Sequence, residues 1–71
     1  MRLILTQHAR KRIRERNVFV RWIRAAVQFP DQIVELGDGR REAIKRIDNN
    51  TLHVIYSNAP NGVVVITVLW E

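Results

Sequence analysis

Apolar residues recur along this chain with two different periods, and the change of period falls at Pro30. Ahead of it the spacing is helical. Thr6 is suited to cap a helix over Gln7 to Arg16, a stretch free of glycine and proline. On that helix Ala9 and Ile13 form the apolar stripe, and His8, Arg12 and Arg16 line one border at i, i+4 and i+8. Arg10, Lys11, Arg14 and Glu15 face outward. Asn17, which tolerates the left-handed conformation, ends the helix. A second helix is predicted from Phe19 to Phe29. Its apolar residues cover more than half the circumference and leave Arg21, Arg24 and Gln28 as the wet stripe. Pro30 stops it.

Beyond Pro30 the period is that of strands. Asp31 to Gly37 and Arg40 to Asp48 flank Asp38-Gly39, a two-residue hairpin signal. Asn49-Asn50 predicts a second tight turn, followed by Thr51 to Asn58. A longer loop, Ala59 to Gly62, leads to Val63 to Trp70. The expected fold is therefore α+β, with two N-terminal helices packed on a four-stranded antiparallel meander. The residues before Thr6 leave room for an edge strand. These turns set a trial register with Arg46 opposite His53, on a mixed face with Glu42, Ile44, Ile55, Ile66 and Val68. Val34, Ala43, Lys45, Ile47, Leu52, Val54, Tyr56, Val65, Thr67 and Leu69 fall on the other face, expected to carry the helices. Trp22 and Trp70 read as core or interface residues rather than base-stacking platforms.

Length and composition narrow the class. Seventy-one residues make one domain, spanning 1–71, with room for a single core. There is no cysteine to form a disulfide or a thiolate metal site. The longest apolar run is far short of the ~20 residues that cross a bilayer, and no secretory leader fits the opening residues, so a cytoplasmic protein without a membrane partner is expected.

The charge is +5 and unevenly placed. Seven of the ten arginines and one of the two lysines lie in the first 24 residues, whereas Ile47 to Glu71 carries neither. A cationic first third points to a polyanionic partner, and arginine is the cation suited to forked contact with phosphate.

Candidate chemistry is correspondingly limited. No clustered glycines form a phosphate loop, and no histidine or carboxylate spacing suggests a metal site, so neither a cofactor nor a metal is expected. The first turn of the first helix has no acidic residue, although its free N–H groups favour one; a phosphate would fit there, gripped by His8, Arg12 and Arg16. The alternative task for Arg12 and Arg16 is to clamp the helix to strand carbonyls or to a carboxylate. The second candidate is Arg46 with His53, since a guanidinium beside an imidazole favours the neutral ring that a general base needs. An ordinary cross-strand pair is the plainer reading of those two residues.

Thr6-x-His8-Ala9-x-x-Arg12-x-x-x-Arg16-x-Val18, with Val65-Ile66-Thr67-Val68 near the other end, resembles a prokaryotic family of small domains of unknown function. That family in turn resembles the RelE/ParE-like toxins of the barnase–EndoU–colicin–RelE fold group. Asn17 stands where the family usually has glycine, and Leu69 where it has tyrosine. The resemblance implies ribonuclease-type toxicity and carries over His8, Arg12 and Arg16; read with the residues themselves it gives a RelE-like ribonuclease working without metal, with His8, Arg12, Arg46 and His53 as catalytic candidates. Arg10, Lys11, Arg12, Arg14, Arg16 and Lys45 would bind nucleic acid. RNA and an acidic antitoxin-like protein are the expected partners. Two other readings stand beside it: a non-catalytic binding module, including ParE-like inhibition of a target, and a structural homodimer.

Overall fold

A computed structural model describes all residues, 1–71. Thr6 caps α1 (Gln7–Glu15), its hydroxyl accepting from the Ala9 N–H at 3.0 Å. Asn17 takes φ 54° at the corner into α2 (Val20–Gln28). The strands are β1 (Leu3–Leu5), β2 (Gln32–Gly37), β3 (Arg40–Ile47), β4 (Asn50–Ala59) and β5 (Gly62–Trp70). They form one mixed sheet in the order β1-β5-β4-β3-β2. The expected four-stranded antiparallel meander is thus corrected to five strands, because Leu3 to Leu5 pairs parallel with Val63 to Val65 at the edge. A single residue, Thr6, joins that edge strand to α1.

Both helices pack on one face of the sheet. Ala9, Ile23 and Ala26 meet Ala43, Leu52, Val54, Val65 and Val68, all wholly buried. The other face carries no helix. Two bulges reassign residues between the faces, because one extra residue in a strand inverts the alternation beyond it. In β5 the extra residue is Ile66: Tyr56 pairs with Val65, but Ile55 pairs with Thr67. Val68 therefore enters the core opposite Val54, while Thr67 and Leu69 move to the bare face, the reverse of the trial register. In β2 the extra residue is Leu36, which turns Ile33 to the helix side and Val34 to the bare side.

The second hairpin differs in another way. Asp48, at φ 56°, opens the turn, and Ile47 pairs with Asn50. Moving the turn back by one residue preserves the faces but slides every partner by two positions. His53 lies opposite Ile44, and Arg46 lies opposite Thr51. The expected Arg46–His53 pair is therefore not formed; the two are diagonal neighbours on the bare face.

Candidate functional site

The residues of the opening motif divide by what the fold already asks of them. The Thr51 and Glu71 backbones exchange both hydrogen bonds, at 3.2 and 2.8 Å. Antiparallel alternation then turns the peptide groups of Trp70 and Val68 outward from β4, towards the sheet edge. β1 ends at Leu5 and does not reach them; α1 occupies that place. The Arg16 guanidinium donates to the Val68 carbonyl at 2.5 Å, the Thr6 hydroxyl donates to Ile66 O at 3.3 Å, and the Trp70 indole donates to Arg16 O at 2.7 Å. Thr6 and Arg16 thus satisfy strand carbonyls that would otherwise lack a partner, and through this contact Arg16 clamps α1 to the sheet. Thr6→Ala removes the cap and the Ile66 bond together. We expect a loss of about 1–2 kcal/mol, seen as a fall in melting temperature of roughly 4–16 °C; Thr6→Ser should recover most of it.

The remaining α1 candidates are less committed. Arg12 pairs with Glu15 at 2.6 Å within the helix, and the Arg12 hydrogen bond holds the Glu15 carboxyl below its ordinary range. His8, Arg10, Lys11 and Arg14 are exposed, and their side chains form no hydrogen bond or ion pair within the chain. Lys45 projects on the helix side of the sheet, where its ammonium donates to Phe29 O at 2.8 Å and caps the last turn of α2. Arg24 donates to the Met1 carbonyl, and Arg21 lies 4.3 Å over the Phe19 ring. Trp22 and Trp70 meet edge to face at 5.6 Å beside the core.

On the bare face, His53 is only 8% exposed although no helix covers it. Ile44 on β3 and Leu69 on β5 lie opposite it on either side. Its Nδ1 is 2.7 Å from Glu42 Oε2. An ionised carboxylate only accepts, so in this contact Nδ1 is the donor. Nε2 comes within 2.7 Å of Glu71 Oε1, but the approach is not aligned as a hydrogen bond and the atom is otherwise buried without a partner. Arg46 donates through Nε to Asp48 O at 3.1 Å, leaving its terminal nitrogens without a protein partner. The role of Glu42 was not legible in the sequence: it is eleven residues from His53 and becomes its neighbour only through the β3–β4 register.

The two histidines are therefore not brought into one centre. His8 stands on the solvent side of α1, His53 on the bare sheet face. No three His, Asp or Glu side chains converge on a metal position, and no helix is long and apolar enough to cross a membrane. Fold and site together define a small α+β domain with a cationic helix at one sheet edge and a carboxylate-held histidine on the open face. The chain belongs to the family described as a domain of unknown function, DUF4258, which matches residues 5–70. No curated protein and no solved structure matches it.

Proposed function

We propose that this domain is a relative of the RelE/ParE-like toxins that cleaves RNA without a metal ion, with His53 as the proton acceptor. One arrangement carries the reading: a buried imidazole whose Nδ1–H is held by Glu42 and whose Nε2 has no hydrogen-bond partner. An oriented ring whose Nε2 can take a proton, once the Glu71 carboxylate 2.7 Å away is displaced, is what general-base catalysis needs. In the step, Nε2 takes the proton of a ribose 2′-hydroxyl as that oxygen bonds to the adjacent phosphorus. The bond from phosphorus to the 5′ oxygen breaks, and the departing oxygen takes a proton from water. Charge gathering on the phosphoryl oxygens is met by Arg46, diagonal to the ring. The test is to incubate single-stranded RNA, and its DNA counterpart, with the protein in the presence and absence of EDTA. RNA alone should be cut, equally well in both, to ends bearing 2′,3′-cyclic phosphate and 5′-hydroxyl. Absence of cleavage on both free and ribosome-bound RNA would overturn the proposal.

The exposed cations of α1 favour a second reading, binding of a polyanion without chemistry, with RNA or an acidic protein as partner. Arg10, Lys11 and Arg14 are unused by the fold, so they are free to meet phosphates. Three such contacts on single-stranded RNA give a slope of log K against log salt of about −2. Replacing all three by Gln should flatten that slope and leave the melting temperature within a degree or so of wild type. A steep slope that survives the replacement would place the RNA elsewhere on the surface.

A further inference from the structure

We infer that Glu71 is a built-in competitor of the ligand at His53: its carboxylate occupies the place beside Nε2 that a proton-bearing oxygen of the ligand takes, and it must swing out before the site can be used. The inference rests on the proposed phosphodiester chemistry for its choice of ligand, but on separate observations for the contact itself. Glu71 is fixed through its backbone, by the pair of hydrogen bonds to Thr51, on the same face as Thr51 and His53. Its side chain is 74% exposed. The carboxylate can therefore leave by rotating its own bonds, with no strand displaced. Little holds it: the 2.7 Å approach to Nε2 is unaligned, and Glu71 has no other side-chain partner in the chain.

The groups around the ring make the competition specific. Ile44 and Leu69 wall it on both sides, Glu42 occupies Nδ1, and Ile55 and Thr51 flank it along β4. The polar group facing Nε2 is Glu71. A carboxylate seated there shows that an oxygen fits the position, although an ionised carboxylate has no proton to offer a bare Nε2. A phosphate can present a P–OH to Nε2 and would also meet Arg46 on this face, a cation that the Glu71 carboxylate does not pair with.

Acylation of histidine nitrogens by diethyl pyrocarbonate, mapped by peptide mass, reads this without reference to RNA. His8, exposed and unpartnered, is the internal standard. In Glu71→Ala the His53 ring should react several-fold faster than in wild type while His8 reacts at the same rate. Inorganic phosphate should protect His53 in the variant at lower concentration than in wild type. Glu71→Gln, which keeps the size and removes the charge, should show the easier phosphate protection with a smaller gain in acylation. Unchanged His53 reactivity in both variants, or no phosphate protection in either, overturns the inference. If reactivity and protection shift as expected but no variant cleaves RNA, the competitor stands and the ribonuclease reading falls.

Discussion

His53→Ala is expected to lower the rate of RNA cleavage by about 10²–10⁴-fold, the usual cost of removing a positioned general base. The loss should fall on turnover rather than on RNA affinity, because the ring meets the hydroxyl proton chiefly as the new bond forms. Glu42→Leu should cost less, since the ring remains but loses the acceptor that fixes its tautomer. Glu42→Gln can still accept from Nδ1 through its amide oxygen and should be milder again. That ordering, His53→Ala worst and Glu42→Gln mildest, separates a positioned base from a packing residue. Packing loss would instead follow melting temperature, which is measured on the same variants. His8→Ala, altering an exposed ring with no partner in the fold, should leave both stability and turnover close to wild type. A severe His8→Ala variant beside an active His53→Ala would move the centre onto α1.

The largest loss of stability is expected at Gly62. It closes the β4–β5 hairpin at φ 149°, and a Cβ there would stand 2.5 Å from the Arg2 carbonyl oxygen, with Arg2 Cβ at 3.1 Å. The obstacle is backbone, which cannot turn aside as a long side chain can. That same carbonyl accepts from the Val63 N–H at 2.8 Å, the bond that begins the β1–β5 pairing. Gly62→Ala must therefore push β1 off the sheet edge or distort the turn. Strain of this kind costs of order 1–3 kcal/mol, and the released pairing adds to it. A melting temperature lower by roughly 10–20 °C is expected for a domain of this size. Amide exchange should locate the damage at Val63 and Val65. A variant as stable as wild type would mean that β1 contributes nothing to the edge.

Which parts of this were legible in the sequence follows from the range of the forces involved. The Thr6 cap, the Asn17 corner, the Pro30 stop and the Asp38-Gly39 turn are decided by residues within a few positions of one another, and all four form where expected. The bulges at Ile66 and Leu36 are not local preferences. They arise from fitting whole strands together, and each inverts a face. A turn at Asn49-Asn50 would make Arg46 the partner of His53. With Asp48 opening it instead, a carboxylate takes the guanidinium's place beside the ring, while the role proposed for the ring, that of proton acceptor, stays the same. Arg16 was read with two tasks open, because which strand carbonyls lack a partner depends on where β1 stops.

That stopping point also sets how this molecule can meet others. At one margin of the sheet a three-residue strand gives way to α1, and Thr6 and Arg16 fill the hydrogen-bonding positions a neighbouring strand would use. At the other margin β2 is six residues long, exposed along nearly its whole length, and followed by nothing. The longer unpaired border is therefore that of β2, and there the Leu36 bulge and the exposed Glu35 carboxylate interrupt the regular edge. A bulge and a charge on an open border are devices by which a sheet avoids growing into a fibre.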